Sequence, residues 1–160
     1  MKNIRNKTKK IIVKLTEEDR TVTFAESCTG GRIAAEFTAV SGASSVLHGS
    51  VVTYSNEIKH KWLGVSRETL ETQGAVSRDC VKEMLEGVQK LTGSDYAIAA
   101  SGIAGPTGGT ELKPVGTVYI GIKTPFFSEV YHCHFHGDRE QVQEKSVAFA
   151  IEKLAEFLDI

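Results

Sequence analysis

The residues of this chain whose types and spacing can do chemistry gather in three short segments. The first is Ala25-Glu26-Ser27-Cys28-Thr29-Gly30-Gly31, where an apolar run hands over to a helical pattern. A serine at such a junction can present its Oγ outward, and the N–H groups at the following helix start lack intrahelical partners and can hold an oxyanion. Ser27 therefore has the surroundings of a nucleophile, with Thr29, Gly30 and Gly31 as donors, although the same residues also read as a helix N-cap and a glycine turn. In the second segment, Tyr54-Ser55-Asn56-Glu57-Ile58-Lys59, a tyrosine that can hydrogen-bond in the same cleft ends a second apolar run, and a lysine lies on the first turns of the next helix. Lys59 is a base if desolvation lowers its pKa until the neutral amine can accept a proton, and otherwise a solvated neighbour of Lys61. The third segment, Gly102-Ile103-Ala104-Gly105-Pro106-Thr107-Gly108-Gly109-Thr110, is the densest in glycine. Backbone N–H groups at Gly105, Thr107, Gly108 and Gly109 suit a phosphate, and Arg139 can add a bidentate contact; a tight turn and a helix-surface ion pair are the plainer alternatives.

Other chemistries have less support. None of His48, His60, His132, His134 or His136 lies in a glycine loop or beside a well-placed carboxylate, which argues against a Ser-His-Asp triad. Alternation puts His132, His134 and His136 on one face of a strand, either a zinc, copper or nickel site or a polar strand face. No carboxylate ligand is near in sequence, so no metal and no cofactor are expected. Cys28, Cys80 and Cys133 form no CxxC pair and are odd in number, which fits a reducing cytoplasm better than a disulfide framework. Residues 1–10 are basic without an apolar h-region, and no segment nears the ~20 apolar residues of a membrane span. A formal charge of −1 lacks the basic field of a nucleic-acid binder, so neither a nucleic-acid nor a membrane partner is expected.

The elements that must position these segments follow from periodicity. A chain of 160 residues, 41% hydrophobic and 24% charged, is expected to be a single domain, residues 1–160. Residues 3–18 read as an amphipathic amino-terminal helix, 21–25 as a strand, 32–40 as a helix, 46–54 as a strand and 56–63 as a helix. Ser77 caps a helix that Gly93 closes, 95–100 is a buried strand, 117–123 and 129–136 form a hairpin through Pro125, and Asp138 caps the last helix. Helices alternating with strands, plus one hairpin, predict a three-layer α/β/α sandwich with a mixed, mostly parallel sheet. In such folds ligands gather beyond the carboxyl ends of the strands, where the first and third segments lie.

Six ordered motifs then resemble a known family: Phe24-Ala25-Glu26-Ser27-Cys28-Thr29-Gly30-Gly31, Val52-Thr53-Tyr54-Ser55-Asn56-Glu57 with Lys59, Gly74-Ala75-Val76-Ser77, Gly102-Ile103-Ala104-Gly105-Pro106, Lys113-Pro114-Val115-Gly116-Thr117-Val118 and Gly137-Asp138-Arg139. Together they resemble the CinA carboxy-terminal domain family, which contains the bacterial nicotinamide-nucleotide amidase, over nearly the whole chain from Thr21 onward. The resemblance implies a Ser/Lys amidohydrolase that converts nicotinamide mononucleotide and water to nicotinate mononucleotide and ammonia. It makes Ser27 the nucleophile, Lys59 the general base and Tyr54 a supporting hydroxyl. The larger amino-terminal domain that many members carry has no room here, so a stand-alone form is expected, with a small nucleotide as substrate and a homo-oligomer as its state. A non-catalytic pyridine-nucleotide-binding or competence- and damage-associated interaction module is the alternative. A Ser/Lys peptidase is disfavoured, because nothing in the sequence builds a long open groove.

Overall fold

The computed structural model describes residues 2–160; Met1, which the single-domain expectation also includes, lies outside the described residues. Its strands are β1 (Val22–Glu26), β2 (Leu47–Val52), β3 (Tyr96–Gly102), β4 (Thr117–Lys123) and β5 (Ser128–His134), in the spatial order β2-β1-β3-β4-β5. The β1 strand pairs in parallel with β2 and with β3, whereas β4 is antiparallel to both β3 and β5. Four strands thus run one way and β4 alone runs back, the mixed sheet expected. Burial follows this order. All of β1 is buried, as a strand covered on both faces must be, while the edge strands β2 and β5 are only partly covered.

Helices α1 (Lys2–Glu17), α2 (Arg32–Thr38) and α6 (Arg139–Phe157) cover one face. There Phe24, Ile98 and Ile120 meet Ile11, Leu15, Phe37, Val147 and Ile151. Helices α3 (Asn56–Leu63), α4 (Arg67–Thr72) and α5 (Arg78–Thr92) cover the other, where the sheet offers small residues, among them Ala25, Ala97, Ala99 and Gly121. That choice lets α5 approach closely: a Cβ on Gly121 would lie 2.6 Å from Leu85 Cδ1 and 2.9 Å from Val81 Cγ1.

The caps are where the sequence puts them. Ser77 Oγ accepts from the Cys80 N–H, Gly93 ends α5 in the left-handed region, and Asp138 forms a capping box with Gln141. Three ends fall two residues short of expectation, while β3 runs two residues past it, to Gly102. The second strand ends at Val52 instead of residue 54, β5 ends at His134 instead of 136, and α2 ends at Thr38 instead of residue 40. The sequence pattern also misses α4, six residues with none buried, and a one-turn 3-10 helix at Ala43–Ser45, because neither is long enough to show a period.

Candidate active site

The carboxyl ends of β1, β2 and β3 lie side by side, and the chain leaves each of them into one of the three chemical segments. Glu26 pairs with Val52 on one side and Ala100 on the other, so the next residues, Ser27, Thr53 and Ser101, continue the row. Backbone bonds keep it in register past the strand ends: Ser27 N–H donates to Ala100 O at 3.0 Å and Thr53 N–H to Glu26 O at 2.8 Å. Strand alternation puts Ser27 and Ser101 on the face of Ala25 and Ala99, the side that carries α3.

From α3, Lys59 reaches back to that row. It is the seventh residue of the span Thr53 to Lys59 and only 1% exposed, and its Nζ lies 3.0 Å from Ser27 Oγ, 2.8 Å from Thr53 O and 3.2 Å from Tyr54 O. Ser55 caps α3 by accepting from the Ile58 N–H, which fixes the helix start and hence the reach of Lys59. Burial pushes the Lys59 ammonium below the ordinary lysine range. Thiolates at Cys80 and Cys28 would oppose that shift, but burial pushes those thiols up to about 11 and about 12, so they stay neutral near pH 7. The two carbonyls have a further consequence. A neutral amine has two hydrogens and one lone pair; with the hydrogens on Thr53 O and Tyr54 O, the lone pair is left facing Ser27 Oγ.

Glu26, which the sequence reading left without a role, organises the nucleophile loop. Fully buried, its carboxylate accepts from Thr29 Oγ1 at 2.6 Å, from the N–H groups of Gly31 and Ile33 at 3.2 and 3.0 Å, and from Ala34 N–H at 3.1 Å. It is the N-terminal anion of α2, built in. The oxyanion assignment therefore needs correction at two of its three residues. Gly31 N–H is bonded to Glu26 and Gly30 N–H to Ser27 O, so both glycines serve the turn, with φ of 97° and 58°. The N–H groups of Cys28 and Thr29 donate to no protein group among the described residues, and these remain for an oxyanion. An acid at a strand end, a few residues before a Gly-Gly helix start, was the available signal.

The phosphate residues fall in the loop 103–116 between β3 and β4. The N–H groups of Gly105, Thr107, Gly108 and Gly109 have no protein acceptor among the described residues, and the last three residues are exposed. Arg139 stands beside them at the first turn of α6, but its two terminal nitrogens already donate to Gly105 O at 2.8 Å and Tyr54 Oη at 2.9 Å. The free bidentate fork expected from sequence is thus spent on joining the glycine loop to Tyr54, leaving Nε and the second hydrogen on each terminal nitrogen. Tyr54 itself, 61% exposed, presents its backbone carbonyl to Lys59 and its hydroxyl to Arg139.

The three histidines do not converge on one point. The His134 and His136 rings meet edge to face with centroids 4.8 Å apart and His134 contacts Val115 O through Nε2, but His132 stacks on Tyr119 at 4.6 Å. No group of three metal-ligating side chains exists among the described residues.

Comparisons with known proteins settle the family of the chain. Residues 4–158 match the CinA C-terminal domain. The chain belongs to that family. It is 53% identical over 140 residues to the CinA-like protein of Endomicrobium trichonymphae, covering 88% of this chain and 33% of that protein. To the CinA-like protein of Thermotoga neapolitana it is 47% identical over 153 residues, covering 95% and 37%. The chain thus spans about a third of the length of these curated relatives. Among solved structures, a CinA superfamily protein from Klebsiella pneumoniae 700603 superposes with a TM-score of 0.93 at 39% identity over 98% of both chains. A competence/damage-inducible protein from Agrobacterium tumefaciens gives a TM-score of 0.94 at 36% identity over 98% of this chain and 96% of that one. For a member of this CinA family no helix among the described residues is long and apolar enough to cross a membrane.

Proposed function

We propose that this CinA-family chain is a Ser/Lys amidohydrolase that cleaves the carboxamide of nicotinamide mononucleotide, giving nicotinate mononucleotide and ammonia. The observation that carries the reading is the buried Lys59 Nζ, 3.0 Å from Ser27 Oγ, with two backbone carbonyls orienting it. Neutral Lys59 takes the Ser27 proton as Oγ attacks the carboxamide carbon, and the carbonyl oxygen, now negative, is held by the N–H groups of Cys28 and Thr29. The ammonium so formed has three hydrogens; two stay on Thr53 O and Tyr54 O, and the third is given to the departing nitrogen. The C–N bond breaks, ammonia leaves, and an acyl ester remains on Ser27. Water then loses a proton to Lys59, attacks the ester, and nicotinate mononucleotide departs as Lys59 returns that proton to Ser27 Oγ.

The open N–H groups of the glycine loop support a phosphate subsite next to this centre, with Arg139 fixing the loop and sharing its spare hydrogens. Every proton transfer and charge in this scheme is met by side chains and backbone donors, so turnover is expected to survive chelation by EDTA. The test is incubation of the purified protein with nicotinamide mononucleotide and an ammonia assay, with Ser27→Ala as control. Binding of the nucleotide without ammonia release would instead favour a sensing module.

A further inference from the structure

The nucleophile loop is held on every side but one, and the residue that completes the hold is Gln143. On α6, 7% exposed, it donates from Nε2 to the Cys28 carbonyl at 3.0 Å, across 115 residues of sequence. Apart from the Cys28 and Thr29 N–H groups, the polar groups of the loop are also committed. Ser27 N–H goes to Ala100 O, Ser27 O receives Gly30 N–H, Thr29 O receives the Arg32 N–H and Arg32 Nη1, and Thr29 Oγ1 is on Glu26. The Cys28 carbonyl and the Thr29 N–H belong to one planar trans peptide, in which they point in opposite directions. Anchoring the carbonyl toward α6 therefore aims the Thr29 N–H away from it, toward the layer in which Lys59 meets Ser27.

Resting on the Ser27 acyl-transfer reading above, we propose that Gln143 is a positioning residue that aims the Thr29 N–H as oxyanion donor. It touches neither substrate nor base; it acts through the peptide plane alone. Losing it frees the 28–29 peptide to rotate, so the donor is no longer fixed where negative charge develops.

The experiment reads Ser27 directly with a fluorophosphonate probe, whose addition at phosphorus needs both the base and an oxyanion donor, followed by mass spectrometry of the labelled peptide. Gln143→Glu keeps the shape of the side chain but has no donor when ionised, and Gln143→Met has none at any pH; both are checked for folding by circular dichroism. The expected result is labelling slowed about tenfold to a hundredfold, in Gln143→Met at every pH and in Gln143→Glu once its carboxyl ionises, with the pH midpoint of the Gln143→Met rate unchanged because Lys59 is untouched. With an active substrate, kcat falls and KM stays within about twofold. A folded Gln143→Met protein that labels at the wild-type rate overturns the proposal, as does a shift of its midpoint in place of the rate. Wild type that labels at Ser27 yet releases no ammonia from nicotinamide mononucleotide sinks the substrate reading and leaves this inference standing. Wild type that does not label at Ser27 removes both.

Discussion

A broad groove and the candidate active site lie at opposite ends of the sheet. A groove of about 1090 Å³ runs between the ends of α3 and α5, lined by Trp62, Gly64, Gly87, Leu91, Asp95 and Pro125, beside the amino end of β3. Trp62 is 49% exposed and Leu91 57%, so about half of each side chain stays open to solvent. At the carboxyl end Ser27, Lys59 and Glu26 are each under 9% exposed and each hydrogen-bonded. The difference teaches that the conditions the proposed Ser/Lys chemistry needs come from desolvation and commitment of donors. Volume alone does neither, since a lysine exposed in a wide groove keeps its proton near pH 7.

Substitutions at the two ends test that contrast, and the largest effect belongs to the nucleophile. Ser27→Ala should lower ammonia release by at least about a thousandfold while nucleotide affinity, measured by calorimetry, stays within about tenfold. Near-wild-type turnover would take Ser27 out of the mechanism.

Lys59 comes next, and it makes two separable predictions. Lys59→Arg and Lys59→Met should both be nearly inactive, because guanidinium does not deprotonate in this range, whereas exposed Lys61→Met should match wild type in steady-state assays. The wild-type acylation rate should rise with pH through one ionisation below the ordinary lysine value of about 10.4. Stability should move with it. Because burial depresses the folded-state pKa, the unfolded chain binds more protons between that pKa and about 10.4, so wild-type stability rises with pH across this window. Below the depressed pKa the full burial cost is present, and there the dead Lys59→Met variant should be the more stable protein by thermal melting. An advantage that grows instead toward pH 10 would contradict the desolvated lysine.

Smaller effects sharpen the picture. Nicotinamide riboside, lacking the phosphate, should have a specificity constant at least about a hundredfold below that of the mononucleotide, because the phosphate supplies binding energy that positions the carboxamide. Equal constants would mean that loop 103–116 holds no phosphate. Glu26→Gln sets an amide NH₂ against one of the N–H groups the carboxylate now receives; denaturant melts should show a loss of about 2 kcal/mol, and kcat should fall about tenfold. Finally, Trp62→Ala and Leu91→Ser in the large groove should leave kcat/KM within about twofold. A tenfold loss from either would tie the two ends together.

Much of the fold was legible because its signals are local. Ser77 and Asp138 cap, Gly93 stops a helix, and the apolar run 95–100 marks the buried strand β3. The site was legible in part. Ser27 and Lys59 stand in segments where strand becomes helix, a pattern visible in one dimension, and the structure brings their reactive atoms together. The oxyanion donors were not legible, because whether Gly30, Gly31 or Thr29 has a spare N–H depends on where other acceptors lie. The Glu26 carboxylate takes one, the Ser27 carbonyl another, and only Thr29 and its neighbour Cys28 keep theirs. Arg139 was misjudged for the same reason: its position on α6 shows in the sequence, its two acceptors do not.

By itself the sequence determined the order of elements and the layered α/β class, since period, caps and turn residues act over a few neighbours, and it marked Ser27 and Lys59 as candidates whose roles only the family resemblance supplied. The tertiary structure alone decided how far Lys59 is desolvated and where those groups point. Burial of Lys59 needs α5 and the sheet to close around it, and the aim of the 28–29 peptide needs Gln143, which folding brings from 115 residues away. Desolvation and hydrogen-bond commitment are properties of what surrounds an atom, and for these atoms the surroundings are supplied by chain far off in sequence.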